Sequence, residues 1–197
     1  MRPARTAVAL ACIAGGLLAG CSSGSTLITE PPLCGTGGHE AGDGVVLMAQ
    51  SVHSASWIPC IRTALPLGWG FHALDARNGT ASFSLDSDRD GSEAVKVRLE
   101  SRCDTTGATQ IPSDRPGMRR LERVQQVSPR FAGERYYVFP GGCVTCVFSL
   151  AGDNAGEGLA LASDVVGVVA RADLDQQVRE QSGGRLSLDP PGEAGTP

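Results

Sequence analysis

Two stretches and one scattered set carry the residue types that do chemistry. Cys143-Val-Thr-Cys146 has the spacing of a dithiol redox motif, and Asp86-Ser-Asp88-Arg-Asp90-Gly91 opens like a calcium loop, in which alternate carboxylates and a glycine wrap oxygen ligands around the ion. The third group is three further cysteines, Cys34, Cys60 and Cys103. Each motif meets an obstacle in its own surroundings. A redox Cys-x-x-Cys needs its first thiol at a helix N-terminus, whereas "CVTCVFSL" reads as a strand, on which residues three apart point to opposite faces. Cys146 then joins Val144, Phe148 and Leu150 on the apolar side, and Cys143 joins Thr145. In the calcium loop the twelfth position should be Glu and is Val97, with strand-like flanks. Asp86, Asp88 and Asp90, with Glu93 as an extra ligand, remain candidates for a weak Ca2+ site. The competing reading is a polar hairpin turn, where Asp and Gly are the favoured residues.

With Cys12 and Cys21 set aside in the N-terminal segment, the other five cysteines are odd in number. In an oxidising compartment two disulfides and one free thiol are the simplest allocation. Cys103 and Cys143 each fall at a strand end beside a turn, and Cys34 with Cys60 would pin an irregular leader to the domain. Cys146 is left as a buried, inert thiol. Zinc would need a second ligand pair, and none has suitable spacing. His39, His53 and His72 are likewise scattered and read as surface or satisfied side chains.

The N-terminus decides the compartment. Arg2 and Arg5 precede the uncharged apolar run Thr6 to Gly20, and the chain turns polar from Ser22, the layout of a secretory signal peptide. The run is 15 residues long, short of the roughly 20 a membrane span needs. Leu18-Ala19-Gly20-Cys21 resembles the lipobox of bacterial lipoproteins at all four positions. That resemblance implies a diacylglycerol thioether on Cys21, cleavage before it and acylation of the freed amine, giving stable attachment because each buried methylene contributes about 0.8 kcal/mol. Gly20-Cys21-Ser22-Ser23-Gly24 also fits G-x-S-x-G, but a nucleophile elbow needs a strand before it and a helix after it. "RYYVFPGGCVTC" is similar to uncharacterised exported proteins of high-GC Gram-positive bacteria, a resemblance without chemical content.

The elements that would position these groups form one domain. The chain has 197 residues and a net charge of −4. Without residues 1–20 it carries 15 basic and 21 acidic residues, a net of −6, so nucleic acid is excluded as a natural partner. The expected layout is signal peptide 1–20, lipidated cysteine and tether 21–44, globular domain 45–188 and a disordered tail 189–197. "VVLMAQSV" reads as a strand. Asn78-Gly79 sets a two-residue type I′ hairpin, followed by a turn around "DSDRDGS" and by Ala94–Leu99, where Val95, Val97 and Leu99 share a face. "MRRLERVQQV" reads as a strand, and "ERYYVF" pairs with "CVTCVFSL" across Pro140-Gly141-Gly142. "GEGLALASDVVGVV" and "DLDQQVREQ" read as helices, the second opened by an Asp173/Gln176 capping box.

Strands first and helices last predict an α+β class, an antiparallel sheet of hairpins with C-terminal helices on one face. No acid/base pair or activated nucleophile assembles from the sequence, which favours a lipid-anchored binding module for a small ligand or an envelope protein. The rival is an envelope enzyme, a hydrolase or thiol oxidoreductase with scattered site residues; a third reading is a structural subunit of a membrane complex. A ligand groove is expected near the Pro/Trp/Gly-rich "SWIPCIRTALPLGWG".

Overall fold

Alternating apolar and polar residues separated by short turns build most of the molecule into one antiparallel sheet. The computed structural model describes residues 26–28, 30–35, 40–62, 64–151 and 155–189. Signal peptide, lipobox, Cys21, His39 and residues 190–197 lie outside the described residues. In chain order the elements are β1 (Thr26–Ile28), α1 (Asp43–Ser51), β2 (Trp57–Ile61), β3 (Trp69–Arg77), β4 (Thr80–Ser87), β5 (Gly91–Glu100), β6 (Thr109–Ile111), β7 (Arg119–Gln126), β8 (Arg130–Phe139), β9 (Gly142–Ala151), α2 (Ala155–Val165), β10 (Val166–Ala170) and α3 (Arg171–Gln181). The eight-stranded sheet runs β1-β3-β4-β5-β9-β8-β7-β6, and β10 pairs with β2 in a separate two-stranded ribbon. All named pairings are antiparallel. The class is α+β.

One face of the sheet holds the core. Phe83, Val97 and Cys146 lie side by side in one register row, and Ala81, Leu99 and Val144 in the next, all at 3% exposure or less. Helix α1 and the β2/β10 ribbon cover that face, bringing Val45, Met48, Val52, Ile58 and Ile61 into the same apolar cluster. Helix α2 packs on β9, and α3 on β10. The opposite face carries a smaller cluster of Leu121, Tyr136 and Cys143, flanked by Cys103, Ala108 and Val138. The two cysteines of the Cys-x-x-Cys therefore do sit on opposite faces of one strand.

Several sequence expectations change. "VVLMAQSV" belongs to helix α1, because Val45, Met48, Ala49 and Val52 fall at i, i+3, i+4 and i+7 and are all buried. The expected helix 156–169 ends at Val165, and Val166-Gly-Val-Val-Ala170 becomes a strand, as its β-branched run favours. Helix α3 then starts at once, with Ala170 as N-cap and no side-chain cap bond, so Asp173 lies inside the first turn and no capping box forms. At Asn78-Gly79 only Gly79 has positive φ, +88°, where a type I′ turn needs both residues there. The leader is also more than a tether. Thr26 to Ile28 pair with Leu74 to Ala76 on the sheet edge, and Leu33 bridges Ile61 beside the Cys34–Cys60 disulfide. Residues ahead of position 45 thus take part in the sheet, at Thr26–Ile28, and meet β2, at Leu33 and Cys34.

Strand direction gives the sheet two distinct ends. The register joins Thr26 with Ala76, Arg77 with Thr80, Thr80 with Glu100, Glu100 with Cys143, and Phe139 with Gly142. Chain entry and the hairpin turns at Asn78-Gly79 and Pro140-Gly141 therefore share one end. Trp69 opposite Ser87, the Asp-rich turn and Arg130 opposite Ala151 mark the other.

The Pro140-Gly141 turn has little room. Gly141 has φ +75°, and a Cβ there would meet the Ser54 carbonyl oxygen at 1.9 Å. Gly141→Ala combines left-handed strain with a backbone clash and is expected to lower stability by about 2–5 kcal/mol. Gly79→Ala, at φ +88° with nothing near the new Cβ, should lose only about 1–2 kcal/mol. Chemical denaturation of the two variants measures the difference, and equal losses would remove the packing account.

Candidate binding groove

Helix α1 ends at Ser51, and the chain must turn back before β2 begins at Trp57. The connecting residues Ser54 to Ser56 lie against the Pro140-Gly141 turn, where the Ser56 hydroxyl donates to the Pro140 carbonyl at 2.8 Å. Across from them, α3 begins at Arg171, and after α3 the chain returns so that Leu188 is buried. These segments enclose a groove of ≈ 830 Å³. Ala55, Trp57, Pro140, Ala172 and Leu188 supply its apolar walls, and Ser54, Asp175, Arg179 and Asp189 its polar groups.

Arg171 fixes the floor. Its guanidinium is buried, and donates from Nε to the Ala55 carbonyl at 2.8 Å and from Nη2 to the Val52 carbonyl at 2.8 Å and to the Ala49 carbonyl. Burial lowers its pKa, opposed by the Asp189 and Asp175 carboxylates. Asp175 accepts from Arg179 Nε and from the Leu188 amide, both at 2.8 Å, and these two bonds hold its carboxyl below the usual range. The Asp189 amide donates to Gln50 at 3.2 Å, and His53 lies 3.7 Å from the Asp189 carboxylate. The charged groups of the groove are thus engaged by their neighbours, an arrangement suited to holding and orienting a ligand.

A smaller cleft of ≈ 240 Å³ lies at the far end of the sheet, between Leu67–Trp69, Ser87–Asp90 and the start of α2. The segment singled out in the sequence, residues 56–70, therefore touches both concavities, Trp57 in the groove and Trp69 in the cleft. Its first part, Trp57–Ile61, is strand β2 rather than irregular loop.

The Asp-rich turn does not gather its carboxylates. Asp90 points inward, 5% exposed, accepting from the Ala151 amide at 2.7 Å and the Ser87 hydroxyl at 2.8 Å. Asp86 accepts from the Glu93 amide at 2.8 Å and the Ser92 hydroxyl at 3.1 Å, and pairs with His72 Nδ1 at 2.9 Å. Burial opposes its ionisation, but these bonds together hold its carboxyl below the usual range. Glu93 turns to Lys96 at 3.3 Å, and Asp88 borders the cleft. Among the described residues no group of three or more His, Cys, Asp or Glu stands ready to hold a metal. The His72–Asp86 pair is brought together by bulges in the β3–β4 and β4–β5 ladders, which no sequence spacing announces. Ser92 bonds the carboxylate, so it does not complete a Ser-His-Asp relay, in which the imidazole must receive the hydroxyl proton.

The cysteines fall into two disulfides, Cys34–Cys60 and Cys103–Cys143, with Cα separations of 4.9 and 5.9 Å, and Cys146 is free. Burial pushes the Cys146 thiol up to about 11, even though Arg135 and Arg115 lower it, so the thiolate needed of a nucleophile is scarce at neutral pH. Beside it Arg135 donates to Glu122 at 2.6 Å and to Ser163 of α2, and Arg115 stacks 4.7 Å over the Tyr137 ring. This cluster joins α2 to the sheet.

Asp90→Ala should lower stability by about 1–3 kcal/mol by leaving the Ala151 amide without its acceptor, and by the same amount with or without millimolar calcium. A calcium-dependent melting shift in the unsubstituted protein, absent from the variant, would assign the turn to the ion instead. Alkylation mapped by peptide mass should label Cys146 only after denaturation, and Cys34, Cys60, Cys103 and Cys143 only after reduction as well. Labelling of Cys146 in the native protein would contradict its burial. Compared with protein-family models, curated proteins and solved structures, the chain matches none.

Proposed function

We propose that this chain is a lipid-anchored binding module of the cell envelope, attached through Cys21 and receiving its ligand in the groove between the β8–β9 turn, α3 and the returning C-terminal segment. The groove carries the reading. Its ≈ 830 Å³ falls within the range of small-ligand sites, and its polar groups are placed by bonds to one another around apolar walls.

Export is supported independently. Two disulfides suit an oxidising compartment outside the cytoplasm. No described helix is long and apolar enough to cross a membrane. The lipobox-like Leu18-Ala19-Gly20-Cys21 supplies the attachment in this reading.

Cys21→Ala should release the protein from membranes or leave it unprocessed, as read by fractionation and N-terminal mass. Normal processing with continued attachment would exclude Cys21 as the anchor. For the groove, Ala172→Phe places a ring at an exposed wall position and should reduce at least tenfold any small molecule that co-purifies with the unsubstituted protein from detergent-solubilised membranes. An undiminished yield would move the ligand elsewhere.

A further inference from the structure

We infer that the groove takes a zwitterionic phospholipid from the membrane that anchors the chain, its acyl part against Trp57 and Leu188 and its headgroup at the rim formed by Arg179 and Asp189. This rests on the proposed attachment at Cys21 and goes beyond it to the orientation of the domain and the class of ligand.

The orientation follows from where the chain enters the sheet. Thr26 pairs with Ala76, next to the Asn78-Gly79 turn, so the domain is held at that end of the sheet. Five residue steps separate Cys21 from Thr26 and reach at most about 18 Å when fully extended. The same end carries the groove. The Gly79 amide donates to the Ser51 carbonyl at 2.7 Å, where α1 runs out, and Ser56 bonds Pro140 of the second turn. The β8–β9 turn lies four to five strands from β1, about 19–24 Å sideways along that end. The far end stands about 30 Å away, the length of the ten-residue strands β8 and β9. An anchor at Cys21 therefore keeps the groove end of the sheet within reach of the bilayer surface, with the cleft at Trp69 at the opposite end.

The ligand class follows from the walls and the charge. Trp57, Ala55, Pro140 and Leu188 give an apolar interior, and Trp suits the boundary between water and acyl chains. The rim carries both signs: Arg179 is 59% exposed while bonded to Asp175, and Asp189 is 64% exposed. A phosphate meets the guanidinium and an ammonium the carboxylate. The net charge of −6 beyond residue 20 disfavours an anionic headgroup, because the domain as a whole repels it.

Trp57 and Trp69, the two tryptophans of the chain, report the two ends separately. The lipidated full chain is reconstituted into phosphatidylcholine–phosphatidylethanolamine vesicles with or without brominated acyl chains, using Trp69→Phe to observe Trp57 and Trp57→Phe to observe Trp69. Bromine should quench Trp57 at least twofold and leave Trp69 unchanged, and Ala172→Phe added to Trp69→Phe should halve the quenching without changing flotation. Flotation with Trp57 unquenched, or with both tryptophans quenched alike, overturns the inference while leaving the anchor standing. Quenching that Ala172→Phe does not reduce places Trp57 near lipid without lipid in the groove, and also overturns it. Failure to float, or equal flotation of Cys21→Ala, overturns the anchor and the inference with it.

Discussion

The buried guanidinium of Arg171 is the contact on which the arrangement of the second layer depends. A helix ends with carbonyls that lack partners, and α1 ends inside the molecule, so a donor must reach Ala49 and Val52 there. Arg171 supplies it, placing positive charge where the helix dipole is negative. The same side chain holds Ala55 ahead of β2, and its own amide donates to the Ser56 carbonyl at 2.9 Å. One residue thus closes α1, starts α3 and fixes the return of the chain between α1 and β2. The position requires that β10 pass into α3 without a linker, as it does at Ala170–Arg171. The groove is built on this junction, so its floor is tied by hydrogen bonds to the end of α1 and the start of α3.

The sheet itself changes character from one side to the other. Over β3, β4, β5 and β9 the covered face is aliphatic and aromatic, packed by α1 and the β2/β10 ribbon. Towards β8 and β7 it becomes a network of Arg135, Glu122, Arg120 and Asp114. Glu122 sits between two guanidiniums there; burial opposes its charge, but the bonds from Arg120 and Arg135 hold its carboxyl below the usual range. A partly wet network suits that margin, where α2 and the Arg115 loop replace the continuous cover.

Sequence patterning was informative where one period extended over a whole element. Ala94 to Leu99 alternates cleanly, and the faces it implies are those observed; the same alternation in β9 separated Cys143 from Cys146. Legibility failed where short apolar runs met long-range packing. Val45 to Val52 carries a helical stripe that eight apolar-rich letters disguise as a strand, and Val166 to Ala170 continues the apolar run of α2 although its β-branching marks the break. Thr26 to Ile28 has nothing local to declare it a strand, because its partner is β3, nearly fifty residues on. The groove was the least legible feature. The sequence pointed at Trp57, but Arg171, Asp175 and Leu188 meet it only through the fold.

The alternation of β9 also bears on how the chain acquires its covalent form. Cys143 and Cys146 are separated by two residues and lie 40 and 43 positions from Cys103, so proximity along the sequence offers little choice between them. Pairing with β5 and β8 makes that choice, since it turns Cys143 towards the Cys103 side and carries Cys146 into the core beside Val144 and Phe148. A slip of one residue would exchange the two thiols between faces. The Cys103–Cys143 bond is therefore compatible with the observed register of β9 and not with one slipped by a residue, so the covalent link and the strand pairing specify the same frame.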